Sequence, residues 1–423
     1  MREHIFEAFS EKSFVFLWLG QVATQIAFNL FNFFLILHVY TLTNSNIAVS
    51  LVVVSFTIPA ILFGILAGVY VDRWDKKKVL LISNVIRGLL VLFLALFHTN
   101  LYFIYAVSFA VSVATQFFIP AETPMIPLVV KGKLLLSANA LFGLGLYGSI
   151  LIAFLLSGPV LIVLGEVYTL LFLAVLFFVG SLFISGISLS KKVVSKKSSL
   201  LVTPKRVLMA EVRSAFSLMR RSRAISNSLF LLALSQILLL VFAVIAPGYA
   251  GQVLKISIQQ FPLYFIAPAA MGVFLGALLL VHFFSNASRE KMMTLGLFLS
   301  GFAMLLLPYG SQIAAKQFVQ VFNSSFSSIF DITTLHVVVL LAFILGLANA
   351  FILVPSNTIL QEQTSDELRG KMYGVLNAMV GVFSLLPILL VGSLSDLIGV
   401  DKVIVGVGVT LLSVGTLRML FDI

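Results

Sequence analysis

The chain has 423 residues, 60% hydrophobic and only 10% charged, with a mean hydropathy of +1.13. A soluble domain carries about 25% charged residues, so water cannot be the solvent for most of this surface. The absence of Cys excludes disulfide scaffolds, thiol catalysis and cysteine-ligated metals, and a net charge of +11, which in a soluble chain would point to nucleic acid, has to be read by position.

Stretches without Asp, Glu, Lys or Arg mark the membrane spans. Residues 13–71 contain none, far more than the roughly 20 residues that one crossing needs. The polar turn TLTNSN (41–46) divides them into helices near 14–40 and 47–71. Residues 79–121 are interrupted by Arg87 alone and divide at HTN (98–100). Eight more stretches follow, at 134–165, 167–190, 224–254, 256–288, 292–315, 332–361, 372–395 and 403–417, which brings the expected total to twelve. Each satisfies its own backbone in lipid if helical, and the alternating strands of about 10 residues that a barrel requires are missing. The predicted fold is therefore an all-α membrane protein with twelve transmembrane helices in two six-helix bundles. MREHIFEAFSEK carries three Glu and runs directly into a span, so it reads as no cleavable signal.

Orientation follows from Lys and Arg. With both termini in the cytoplasm, the inner segments hold 23 of the 27 basic residues, a one-sided case of the positive-inside rule. The excess charge is a topology and lipid-surface signal, and a nucleic-acid partner is rejected. The longest hydrophilic stretch, 191–224, separates an N-terminal bundle (1–190) from a C-terminal one (225–423). Within it Val212, Ala215, Phe216 and Met219 share a helical face against Arg213, Arg220 and Arg221. That pattern fits an amphipathic helix on anionic lipid, or equally a solvated linker.

The halves repeat each other. IPAILFGILAG (58–68) in span two and APAAMGVFLGA (267–277) in span eight each place a proline before a G-x-x-x-G pair, Gly64/Gly68 and Gly272/Gly276. This spacing lets neighbouring backbones approach closely. FIPAETPMIP (118–127) and LVPSNTILQ (353–361) end spans four and ten, and both precede a polar loop and an Asn-Ala pair.

GVYVDRWDKKKVLL (68–81), after span two, puts Asp72 at a membrane exit, where a carboxylate meets a helix N-terminus or a guanidinium. The pattern G-x-x-x-D-R-x-x-K-K in this loop, with six plus six helices and a basic central loop, resembles the major facilitator superfamily. PAETPMIPLV, SANALFG, SGPVLIVLG and LQEQTSDELRGKMYG resemble its drug and macrolide efflux branch, which includes siderophore exporters. The resemblance implies two bundles rocking around a central cavity. It also implies an inner gate of Gly68, Asp72 and Arg73 with Lys76 and Lys77 as the basic positions, Asp72 meeting the start of span eleven near Gly370–Met372. This chain departs from the pattern in carrying Asp75 at the usual second glycine, an expected loss of turn freedom. The second-half copy, LVHFFSNASREK (280–291), has no matching acid, and span four lacks the arginine of many drug–proton antiporters.

Span one carries Gln21, Gln25 and Asn29 on one helical face with Thr24 and Asn32 beside them. Amides facing lipid are costly, so the stripe either lines the cavity or glues the bundle at about 0.6 kcal/mol per contact. The resemblance places spans one, four, seven and ten around the cavity, which adds Gln116, Gln236, Asn349 and Asn357. Arg87 lies eight residues into span three, within snorkelling distance of the inner phosphates; pinning that span is favoured over a coupling role. Glu122 and Asp331 are the acids nearest the spans and candidates for proton coupling, with Glu122 first. His38, His98, His282 and His336 read as scattered. Phe318, Phe322, Phe326 and Phe330 in the outer loop 310–331 form a stripe for the outer leaflet.

No Walker A motif, H-E-x-x-H spacing or G-x-S-x-G elbow occurs, and neither metal nor cofactor is expected. An uncharged cavity of amides, hydroxyls and Phe suits amphiphilic molecules better than phosphates or dicarboxylates, which call for Arg or Lys. The expected function is export of such molecules by a monomeric secondary transporter in the cell membrane, its partners being the small molecule, protons (an expectation of the resemblance) and membrane lipids. The alternatives are a lysophospholipid or siderophore transporter and, distantly, an intramembrane enzyme.

Overall fold

The computed structural model describes residues 7–188, 222–284, 287–308, 334–364 and 366–421. The basic linker up to Arg221, the aromatic stripe at 310–331 and Asp331 lie outside the described residues. Every regular element among the described residues is helical. In chain order the long ones are α1 (Lys12–Thr43), α2 (Asn46–Val71), α3 (Lys76–Leu94), α4 (Leu101–Glu122), α5 (Leu135–Ser185), α6 (Arg223–Gly248), α7 (Ala267–Phe283), α8 (Arg289–Leu306), α9 (Thr334–Glu362), α10 (Asp366–Ile398) and α11 (Val400–Phe421).

Nine of the described helices are long and apolar enough to cross a membrane. α3 falls short because Lys76–Lys78 and Arg87 interrupt it, and α8 because its 18 residues open with Arg289, Glu290 and Lys291. α5, at 51 residues, would reach about 76 Å if straight, more than twice the roughly 30 Å hydrocarbon core. Gly165 breaks it into two limbs with φ +70°, a backbone conformation open to glycine at little cost.

The chain divides into two compact units, Met1–Leu42 with Leu51–Met209 and Thr43–Ser50 with Ala210–Ile423. In the first, α3 packs against α4 and α5, and a core of Phe14, Leu17, Phe118, Ala138 and Ile184 is almost fully buried. A Cβ on Gly20 would come within 3.3 Å of the Gly180 carbonyl, and one on Gly180 equally near the Gly20 carbonyl. α1 and the second limb of α5 therefore cross backbone to backbone, where small residues allow dispersion contacts that lipid does not displace.

In the second unit α9 is the hub, flanked by α6, α7 and α8. A Cβ on Gly272 would land on the Phe343 carbonyl oxygen, and one on Gly276 would sit 2.8 Å from the Ala350 Cβ. The expected close approach thus holds for Gly272/Gly276. Its first-half copy differs: Gly64 has the Gln116 amide oxygen 3.6 Å from its Cβ position, and Gly68 has nothing within 4 Å.

The second unit also takes in the first turn of α2. Asp396 accepts hydrogen bonds from Ser45 Oγ (2.6 Å), Asn46 N and Nδ2 (2.8 Å each) and Ile47 N (3.0 Å). A helix leaves its first N–H groups without internal partners and presents positive potential there, so the carboxylate completes the turn from outside. Ser50 Oγ then donates to the Ile388 carbonyl at 2.9 Å, beside Gly392, where a side chain would strike Ser50. Asp396→Ala should cost about 0.5–2 kcal/mol, the range for a lost N-cap acceptor, with Asp396→Asn milder. Thermal unfolding in detergent measures both, and an unchanged midpoint for Asp396→Ala would refute the capping role.

Candidate functional site

The loop after α2 begins as a continuation of the helix, with Asp72 N donating to the Gly68 carbonyl at 3.1 Å. Asp72 and Arg73 are exposed. Asp75 is the N-cap of α3 at φ −67°, accepting from Lys78 N at 3.2 Å. The turn freedom that Asp75 gives up is not used here: the position needs no positive φ, and Asp offers the acceptor that glycine lacks. Lys77 Nζ donates to the carbonyls of Ser185 (2.8 Å) and Ile187 (2.7 Å). It caps the end of α5, where carbonyls lack helical partners and a cation is favoured. Lys76 is half-buried. Of the predicted meeting point at Gly370–Met372, the side chains of residues 370 and 371 lie outside the described residues. In the second-half loop Arg289 forms a bidentate pair with Glu362, with Nη2–Oε1 at 3.0 Å and a shorter Nη1–Oε2 bond. Both groups are about half exposed, so the pair adds little stability.

The buried polar centre of the first unit was invisible as a unit in the sequence. Arg87 does not snorkel; it is 1% exposed. Its Nε donates to the Ser83 carbonyl (3.2 Å), Nη2 to Asn84 Oδ1 (2.7 Å) and Nη1 to Thr115 Oγ1 (3.5 Å). Its guanidinium lies 4.3 Å from the Phe118 ring centroid and 5.2 Å from that of Phe177. Asn84 Nδ2 in turn donates to Thr24 Oγ1 at 2.9 Å, and Thr24 abuts Gly180. Four helices, α1, α3, α4 and α5, meet around one cation whose hydrogen bonds all run inward to the bundle. Glu122 is also buried, its Oε1 makes no hydrogen bond, and its charge acts on Arg87 without a direct ion pair.

The predicted cavity residues separate by environment. Gln21 and Thr24 are packed inside the first unit, Gln21 against Gly145. Gln25 and Asn29 are half-buried, and Asn29 Nδ2 donates to the Gln25 carbonyl at 2.8 Å. In the second unit Asn349 Nδ2 donates to Ser235 Oγ at 2.8 Å, linking α9 to α6. Asn357 Oδ1 accepts from the Tyr373 hydroxyl at 2.9 Å, and Gln361 Nε2 donates to the same hydroxyl at 3.2 Å. Asn32, Gln116 and Gln236 are half-buried and make no side-chain hydrogen bond among the described residues. Their amides keep full donor and acceptor capacity.

Two apolar grooves of about 680 and 640 Å³ lie on the first unit, one lined by Leu89, Phe93 and Leu171, the other by Phe63, Trp74 and Phe117. Neither includes a predicted cavity residue, and their lining suits acyl chains. The histidines are not all scattered: the His38 and His98 rings stand 5.8 Å apart.

The family profile described as Major Facilitator Superfamily matches residues 17–386. The chain is 21% identical over 399 residues to macrolide efflux protein A of Streptococcus pyogenes, covering 92% of this chain and 90% of that one. It is 28% identical over 156 residues to the uncharacterized MFS-type transporter YkuC of Bacillus subtilis (strain 168), a match that spans 33% of this chain and only 36% of that protein. Among solved structures, the nucleoside transporter NupG superposes with a TM-score of 0.71 at 14% identity, covering 96% of this chain and 99% of that one. At that identity the likeness concerns the fold alone.

Proposed function

The chain belongs to the Major Facilitator Superfamily, and from that premise we propose that this transporter exports amphiphilic or hydrophobic small molecules by alternating access, with protons moving the opposite way. Its small-molecule substrate class is proposed from the half-buried amides of Asn32 and Gln116 in the first unit and Gln236 in the second, none of which makes a side-chain hydrogen bond among the described residues. Amides of this kind, wherever they meet a ligand, orient it through few polar contacts while apolar surface is buried around them. With Gln25, Asn29, Asn349 and Asn357 they make up the proposed substrate-contacting set, while Thr24 bonds Asn84 within the first unit and Gln21 is buried with its Oε1 unpartnered. The likeness to a macrolide efflux protein supports export over uptake. The twelve-crossing topology adds α3, α8 and the second limb of α5 to the nine apolar helices, with both termini cytoplasmic.

The test is flux in proteoliposomes across a panel of macrolides, other amphiphilic drugs, lysophospholipids and siderophores, with and without an imposed pH gradient. Macrolide or drug movement accelerated by the gradient supports the reading. Movement of lysophospholipid or siderophore alone would replace the substrate class, and gradient-independent movement would remove the proton. In the proposed inner gate Asp72 is exposed and outside any core, so Asp72→Asn should insert and fold normally while transport falls by at least about tenfold, roughly 1.4 kcal/mol on the limiting step. Wild-type flux in that variant would end the gate assignment.

A further inference from the structure

Three ionisable side chains gather where the chain of the first unit turns back, at the end of α1, in the α3–α4 turn and at the break in α5. His38 Nδ1 lies 3.3 Å from one carboxylate oxygen of Glu166, and His98 Nε2 lies 3.8 Å from the other. The opposite nitrogen of each ring is already committed. His38 Nε2 is 2.7 Å from the His98 carbonyl oxygen, and His98 Nδ1 is 3.2 Å from that of Ala95. A carbonyl oxygen only accepts, so in a neutral ring the proton sits on the nitrogen that faces the carbonyl. Each neutral imidazole then turns a bare lone pair toward a carboxylate that also offers only lone pairs.

That arrangement is short of a proton. His38 has 1% of its side chain exposed, and its Nδ1 makes no hydrogen bond, so water does not relieve the contact. One added proton converts a lone-pair clash into a charge-assisted N–H···O bond, the stronger kind. The His38 ring plane is held for it: Phe34 stacks on His38 at 5.2 Å and 13°. Gly165, at φ +70°, turns the chain immediately before Glu166, whose side chain is 38% exposed and open to water. His38, His98 and Glu166 are the ionisable groups whose contacts the structure records here, one from each of the three segments that meet.

We propose that His38, His98 and Glu166 form a proton-binding site at the end of the first unit that the positive-inside reading places outside, and that the proton driving export is loaded there. The second half of this inference rests on the export function proposed above; the site itself does not. A proton on either ring turns that ring's contact with the shared carboxylate into an N–H···O bond, which release of the proton undoes.

Two measurements test it, both in the presence of a chelator so that adventitious metal plays no part. In full-length protein labelled with 15N-histidine in nanodiscs, the His38 and His98 resonances, assigned with His38→Gln and His98→Gln, should titrate as a coupled pair, and Glu166→Gln should uncouple them. In proteoliposomes carrying a transported substrate, wild-type flux should fall as outer pH rises through roughly 5 to 8, the imidazole range. One required proton sets a limit of about tenfold per pH unit, and Glu166→Gln and His98→Gln should each flatten the response to less than about twofold. Rings that titrate independently in the wild type would overturn the site. Coupled rings with an unchanged pH profile in both variants would overturn the loading role. Coupled rings with no flux of any panel substrate would count against the export function and leave the site standing.

Discussion

Gly346→Ala should destabilise the second unit, although alanine is the better helix former by up to about 1 kcal/mol. A Cβ at this position of α9 would land on the Ala269 carbonyl oxygen of α7, and it would sit 2.7 Å from the carbonyl carbon and 2.9 Å from Ala269 Cα. All three are backbone atoms, so no rotamer change relieves the clash; the helices have to separate. Separation also pulls α7 from the contacts at Gly272 and Gly276, so overpacking here belongs at or beyond the upper end of the usual range of about 1–3 kcal/mol. Gly143→Ala in α5 is the control, because nothing lies within 4 Å of its Cβ position, and it should be neutral or stabilising. The opposite signs should appear in thermal unfolding in detergent and in folded yield. A Gly346→Ala protein as stable as the wild type would mean that α7 and α9 do not cross this closely.

Arg87→Leu should be the most damaging single change in the first unit. It strips Asn84 Oδ1 of its 2.7 Å donor and removes the cation stacked on Phe118. It also leaves Glu122 buried with no opposing charge. Stripping a buried acceptor of its charged donor costs about 1–3 kcal/mol, and the loss of the Arg87 charge that acts on buried Glu122 adds to it. The Arg87→Leu, Glu122→Gln double variant should therefore be more stable than Arg87→Leu alone. Single and double effects that add to within about 0.5 kcal/mol would show instead that the two groups are energetically independent.

Much of the architecture was legible in one dimension because lipid imposes a strict rule. Wherever water is absent the backbone must satisfy itself, so charge-free stretches become helices, and polar turns such as TLTNSN separate them. The break in α5 was legible for the same reason: Glu166 interrupts an apolar run, and Gly165 supplies the backbone freedom. Loop chemistry was only half legible. The basic order of 68–81 identified the loop, but Lys77 as a cap on α5 and Asp75 as the cap of α3 depend on where neighbouring helix ends fall.

Partners were another matter. A stripe of amides on α1 reveals which face is polar, not what stands opposite it, and Thr24 proved to be bonded to Asn84 sixty residues away. Arg87 looked able to reach the phosphates by length alone, until Asn84, Thr115 and two phenylalanines were found to enclose it. His38, His98 and Glu166 carry no spacing signal, since they come from three separate turns and meet only once the bundle closes. That the chain is built of helices apolar enough to span, which loops are basic and which superfamily they resemble could be read in one dimension, because those properties are set residue by residue against the solvent. Which polar groups share a proton, which glycines bear a neighbouring backbone and which helix ends are capped from elsewhere emerged only on folding, because each is a distance between residues remote along the chain.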